Sequence, residues 1–175
     1  MTAFGAAELN RLLNDVAEEL GRAGERGEIY VVGGSAMALG GYSTARTTRD
    51  IDARIDAGHG AVVEAVRVVA RRHGLPTSWL NEQATAYMPT TKDQGARIVF
   101  SHRNLIVAAA APERLLAMKL VAGRAQDVED ATALADLCDL RAEEMTELVR
   151  STFGDDALDE RARLTIALVA GNLKN

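Results

Sequence analysis

Ile29-Tyr30-Val31-Val32-Gly33-Gly34-Ser35-Ala36-Met37-Ala38-Leu39 is the stretch whose reading decides the fold. Residues 29–32 are a run of β-branched and aromatic side chains, which predicts a short buried strand. Gly33-Gly34 ends the run, and residues 35–39 then read as a short helix closed by Gly40-Gly41. A strand that passes into a helix through glycines offers unpaired N–H groups and a positive helix end where no Cβ stands in the way. Ser35 reads as the cap of that helix, with a hydroxyl that can also serve a ligand. An ordinary strand-to-helix connection needs the same residues, so the turn acquires meaning only from its surroundings. Neither a GxGxxG nor a Walker lysine accompanies it, which leaves a dinucleotide fold or a P-loop without support.

Moving outward, residues 6–24 place Leu9, Leu12, Leu13, Val16 and Leu20 at steps of three and four, the pattern of an amphipathic helix. Downstream, residues 49–56 alternate: Asp50, Asp52, Arg54 and Asp56 fall on one side, Ile51, Ala53 and Ile55 on the other. That strand puts two carboxylates on one face, about 7 Å apart, where they repel each other unless a cation lies between them. A hard divalent ion such as Mg²⁺ suits this pair, because it takes one or two carboxylates and completes its shell with water and phosphate oxygens. Residues 59–73 predict a helix, 75–91 a loop around a short helix near Trp79, and 97–101 and 105–109 two strands joined through His102-Arg103-Asn104. Pro112 opens a helical half that runs to the C-terminus. The expected fold is α+β: a small mixed sheet in residues 1–111 and a helical bundle in residues 112–175, packed together as one compact unit.

The chain of 175 residues is 47% hydrophobic and 26% charged, a globular composition that argues against disorder and coiled-coil rods. With 4% aromatics, bases or sugars are not gripped chiefly by stacking rings. The net charge of −5 argues against a basic coat for nucleic acid. Its distribution is uneven, however: residues 1–29 carry −3, residues 42–105 carry +3 and residues 106–175 carry −5. The positive segment is the one that holds Asp50 and Asp52. A single Cys138, without a neighbouring Cys or His at ligand spacing, reads as a buried apolar thiol. With no leader-like start and no apolar run of about 18 residues, the expected location is the cytoplasm.

Taken together, the Gly33-Gly34-Ser35 turn, the spacer and the Asp50-Ile51-Asp52 strand resemble the DNA polymerase β-like nucleotidyltransferase superfamily, most closely its minimal members and toxins of the AbiEii type. The run Arg46-Thr47-Thr48-Arg49 before the aspartates looks like that family's basic and hydroxylic segment. The resemblance implies that Gly33, Gly34 and Ser35 hold a triphosphate with Arg46 and Arg49 beside it, and that Asp50 and Asp52 hold Mg²⁺. It implies transfer of a nucleotide to an acceptor hydroxyl. RNA, plausibly a tRNA end, is the expected acceptor, and an antitoxin protein an expected partner. A small-molecule acceptor and an inactive fold that only binds a partner remain alternatives.

The helical half adds a third element. Lys119 lies four residues after Leu115 and three after Leu116, on their apolar face, while Asp127 and Asp130 continue through Leu134 and Leu137 and so also face inward. A lysine so placed needs a partner or a task. One reading is a buried pair that ties two helices together. The AbiEii-type resemblance implies the other, in which Lys119 and Asp127 or Asp130 are catalytic and Arg124 sits between them in contact with nucleotide. The family's frequent third carboxylate on a later strand is missing from 97–101 and 105–109, and Asp93 falls in a loop. His59, His73 and His102 lack metal-ligand spacing, His102 alone being expected near the site.

Overall fold

The computed structural model describes residues 3–43 and 47–173. They divide into two compact units, residues 1–86 with 96–110 and residues 87–95 with 111–175.

The first unit is built on a five-stranded mixed sheet. Its strands are β1 (Gly27–Val31), β2 (Ile51–Ala57), β3 (Leu80–Asn81), β4 (Arg97–His102) and β5 (Leu105–Ala109), in the order β3-β2-β1-β5-β4. β1 runs antiparallel to β2 and parallel to β5, while β3 is parallel to β2 and β4 antiparallel to β5. The helices of this unit are α1 (Ala6–Arg22), α2 (Gly33–Leu39) and α3 (His59–His73). Alternation along the strands sends Ile29, Val31, Ile51, Ala53, Leu105 and Val107 into the core. Gly27 shows how closely α3 presses on that face, since a Cβ there would lie 2.3 Å from Val62 Cγ2. Leu9, Leu13 and Val16 of α1 complete the apolar layer.

Three sequence expectations need correction in this unit. The short helical turn in the 75–91 region lies at Gln83–Tyr87, and Trp79 instead leads into β3. Trp79 is buried, with its indole N–H donating to the Val66 carbonyl at 3.2 Å, so this ring pins the edge strand to α3. The strand bearing the aspartates starts at Ile51, one residue after Asp50. α2 begins at Gly33, with Val32 as its N-cap residue, so Ser35 stands in the first turn and does not cap it.

The second unit consists of α4 (Pro112–Ala122), α5 (Val128–Leu137), α6 (Ala142–Phe153) and α7 (Glu160–Asn172), with 3₁₀ turns at Ala125–Asp127 and Asp155–Ala157. Residues 87–95 belong with these helices through side-chain bonds. Asp93 accepts the N–H of Ala111 at 2.9 Å, and Arg114 donates to the carbonyls of Thr91 and Lys92 at 3.0 Å each. Asp93 is thus spent on holding the entry to α4.

The leucines of α7 do not form its buried face. Ala162, Thr165, Ile166 and Val169 are buried, whereas Leu164 and Leu168 are exposed. At Gly123, whose φ is +59°, a Cβ would fall 2.3 Å from Arg161 Cγ and 3.2 Å from Thr165 Oγ1, so the glycine lets α7 approach the end of α4 closely. Leu137, expected inside, is likewise exposed, and Cys138 is only half-buried. Burial, with a smaller contribution from Glu113, pushes the Cys138 thiol up to about 11, so it remains a thiol at neutral pH.

Candidate functional site

The residues singled out by the sequence form two clusters, one in each unit. In the sheet unit, antiparallel pairing of β1 with β2 brings the Gly33 turn against Asp52: the Val32 N–H donates to the Asp52 carbonyl at 2.9 Å. Gly33 has φ +62°, and a Cβ there would stand 3.2 Å from Asp52 Oδ2. The carboxylate therefore lies directly over bare backbone. Ile51 and Ala53 on either side of Asp52 are fully buried, which locks the strand's facing. Asp52 itself is half-buried.

Ser35 is buried and its hydroxyl donates to the Val32 carbonyl at 2.9 Å. The proton that the sequence reading offered to a ligand is used internally, while the oxygen's acceptor capacity remains. The first turn of any helix leaves its N–H groups without intrahelical acceptors, here those of Gly34 and Ser35.

Asp50 sits in a bend immediately before β2, and its carbonyl accepts the Thr48 hydroxyl at 2.9 Å. Thr48 also forms an isolated antiparallel bridge with Phe4, through Phe4 N–H to Thr48 O at 2.7 Å and Thr48 N–H to Phe4 O at 3.0 Å. This anchor escaped the sequence reading, since a bridge across more than forty residues leaves no local pattern. The N-terminal segment thereby fixes the approach to the aspartates, and Thr48 is engaged with backbone. Arg49 is exposed, and Arg46 lies outside the described residues.

Two residues further along β2, Arg54 lies over the buried ring of Tyr30, 4.9 Å from its centroid, and its Nε donates to Asp56 at 2.5 Å. The Asp56 hydrogen bond raises the Arg54 pKa against the cost of burial. The alternation of β2 places Arg54 on the side of Asp52, where the charge pattern makes it a candidate for an anion-attracting face, but its guanidinium is engaged by Asp56 and Tyr30.

In the helical unit, Lys119 Nζ donates to Asp127 Oδ1 and to Asp130 Oδ2, both at 2.8 Å, and all three side chains are buried. Arg124 Nε donates to Asp127 Oδ2 at 2.5 Å from an exposed position. Burial pushes the Asp127 carboxyl up, but the hydrogen bonds and charges of Lys119 and Arg124 outweigh it and hold the group below the usual carboxylate range. Arg124 meets Asp127 alone, and does not sit between the lysine and both acids. His102, expected near the aspartates, instead closes β4 beside the start of β5, at the opposite end of the sheet from Gly33.

Among the described residues no group of three or more His, Cys, Asp and Glu side chains converges as a metal cage. The Asp52 carboxylate nevertheless has the oxygen donors that a hard cation bringing its own water or phosphate oxygens would take, and Gly33 leaves beside it a space that any Cβ would fill.

A glycine turn from strand to short helix, answered by a carboxylate on the paired strand of a small mixed sheet, is consistent with a nucleotidyltransferase-like α+β core. The model of a family described as "Nucleotidyltransferase of unknown function (DUF6036)" matches residues 7–166, and the chain belongs to that family. No curated protein and no solved structure matches it. Among the described residues, no helix is long and apolar enough to cross a membrane.

Proposed function

We propose that the chain transfers a nucleoside monophosphate from a nucleoside triphosphate to an acceptor hydroxyl, with Mg²⁺ held by Asp50 and Asp52. The observation that carries this reading is the seat of Asp52 over Gly33, because it joins a carboxylate to a backbone surface open to phosphate oxygens. The N–H groups at the start of α2 bind and orient the triphosphate, and Arg49 with Arg46 adds positive charge beside it. When bound, Mg²⁺ neutralises charge that builds on the phosphates. Ile51 and Ala53 hold Asp52 in its facing, and the Phe4–Thr48 bridge holds the backbone leading to Asp50.

The acceptor in this proposal is RNA, as for an AbiEii-type toxin with an antitoxin partner. The +3 charge of residues 42–105 favours a polyanionic acceptor over a cationic small molecule. Lys119 is satisfied by the two buried carboxylates of Asp127 and Asp130, and Arg124 is held by Asp127, so this reading gives the cluster a structural role within the helical unit.

The test is incubation with each labelled nucleoside triphosphate and Mg²⁺, with and without total RNA. Label is expected in RNA. Asp52→Ala is expected to lower transfer about 10³-fold, several kcal/mol of charge stabilisation, with the melting temperature little changed. Undiminished transfer by the Asp52→Ala protein would overturn the site, and label confined to a small acceptor would overturn the RNA assignment.

A further inference from the structure

The sheet unit carries a cleft at the far end of β1 from the Gly33 turn. It encloses about 420 Å³ between the chain entering β1 and the β4–β5 hairpin, and Arg26, Glu28, Ser101, His102 and Arg103 contribute its polar groups. From Gly27 to Gly33 is six residues, about 20 Å of extended chain at the rise of a strand. The cleft is therefore separate from the site of the proposed transfer.

Its walls are rigid for a surface hairpin, and Asn104 is the reason. Its side-chain amide donates to the Glu25 carbonyl at 2.9 Å, its own carbonyl accepts the Gly27 N–H at 2.9 Å, and its side-chain oxygen accepts Arg103 Nε at 3.2 Å. Its backbone N–H donates to His102 Nδ1 at 3.2 Å. That bond makes Nδ1 the acceptor, so the neutral imidazole carries its proton on Nε2 and offers it as a donor. Arg103 keeps its two terminal amino groups for a ligand.

The arginines here differ from most others in the molecule. Arg11, Arg22, Arg54, Arg72, Arg124 and Arg150 are each held by a carboxylate. Among the described residues, Arg26 and Arg103 make no ion pair, and both are exposed. In a chain with 25 acidic against 20 basic residues, two unpaired guanidinium groups lining one cleft are an anion site in waiting. Glu28 sets the charge of that anion. Two arginines and one glutamate leave a formal +1 while His102 is neutral, which balances the single charge of a phosphodiester and not the dianion of a phosphate monoester. Glu28 then has a partner only if the ligand also brings a hydroxyl donor, and Ser101 and His102 add neutral hydrogen bonds.

We infer that the cleft lined by Arg26, Glu28, His102 and Arg103 binds one phosphodiester unit of a single RNA strand. Arg26 and Arg103 grip the phosphate, His102 Nε2–H donates to it, and Glu28 accepts a ribose hydroxyl. This inference stands apart from the transfer reaction and needs no nucleoside triphosphate or metal.

The test uses the full chain, with the imidazole carbon-bound proton signals of His102 followed by NMR and assigned with His102→Gln. Single-stranded oligouridylate is expected to shift the His102 signal saturably, and tenfold more salt to weaken binding about fivefold, as for one neutralised phosphate. Arg26→Ser combined with Arg103→Ser is expected to weaken it at least tenfold, and Arg26→Gln alone supplies the same direction should the double variant fold poorly. Oligodeoxyuridylate is expected to bind more weakly than the ribo-oligomer, with the difference lost in Glu28→Ala, which removes the acceptor. Absence of a saturable shift, or equal binding by the arginine variants, would overturn the inference. Inorganic phosphate that binds as tightly as oligouridylate would mark a free-phosphate site and overturn it equally.

Discussion

Asp52 in the sheet unit and Asp127 in the helical unit are both aspartates that sequence reasoning assigned to chemistry, and the structure treats them differently. Asp127 is sealed, with Lys119 on one oxygen and Arg124 on the other. Asp52 is half-buried and lies over a glycine that leaves room beside its carboxylate. A buried carboxylate matched to a lysine repays its own desolvation and little more. The difference lies in burial and in the backbone beneath the group, since Asp52 is less deeply buried and Gly33 presents no Cβ to it.

The largest effect that could break this contrast comes from Lys119→Met. Removing the ammonium leaves Asp127 and Asp130 buried with much of their compensation gone, and a broken buried pair costs about 3–5 kcal/mol. Chemical denaturation should show that loss directly. Replacing all three residues with apolar side chains of similar volume should recover most of it. If Lys119→Met instead left stability intact and abolished nucleotide transfer, the cluster would be catalytic machinery and the contrast with Asp52 would fail.

Gly33→Ala acts on the other side of the comparison. Its φ of +62° costs a residue with a Cβ about 1–2 kcal/mol. The new methyl would also meet Asp52 Oδ2 at 3.2 Å and must displace the carboxylate by a few tenths of an ångström. Transfer activity is therefore expected to fall by more than the stability loss explains, with Mg²⁺ dependence shifted to higher concentration. A Gly41→Ala control separates the two effects, because that glycine has φ +71° and an added Cβ there meets nothing within 4 Å, so it carries the strain without the displaced carboxylate. Equal losses of activity in the two variants would show that backbone strain, not the seat of Asp52, limits the reaction.

What the sequence disclosed follows the same physical divide. Features encoded by neighbours within one turn or one strand were legible: the Gly33-Gly34 break, the alternation of Ile51 and Ala53 with Asp52, and the full extent of α3 and β5. The inward placement of Lys119 was legible too, from its spacing to Leu115 and Leu116. Features set by distant partners were not. β3 is two residues long and exists through pairing with β2 and the Trp79 anchor, and the Phe4–Thr48 bridge has no local signature. On α7, hydrophobicity alone points to Leu164 and Leu168, yet both are exposed and Ala162, Thr165, Ile166 and Val169 are buried instead. The absence of a carboxylate from β4 and β5 was read correctly, and the role of Asp93 as a staple for Ala111 was visible only in three dimensions.

A last and smaller effect sharpens the contrast through pH. The Asp127 carboxyl is held below its ordinary value of 3.8 in the folded chain by Lys119 and Arg124, in excess of the upward push of burial. The unfolded chain therefore binds this proton more readily than the folded one, and the group contributes stability above the unfolded pKa that is lost as pH falls through the folded value. Wild-type protein should accordingly lose stability in the acid range faster than Asp127→Asn, once the variant's lower baseline is subtracted. Arg124→Gln should reduce this acid dependence only in part, because its exposed guanidinium is screened by solvent whereas Lys119 is not. Denaturation midpoints between pH 3 and pH 6 measure both slopes. Parallel curves for wild type and Asp127→Asn would mean that the pair's charge is already neutralised by other means, and that Lys119 holds its helices by hydrogen bonding and packing alone.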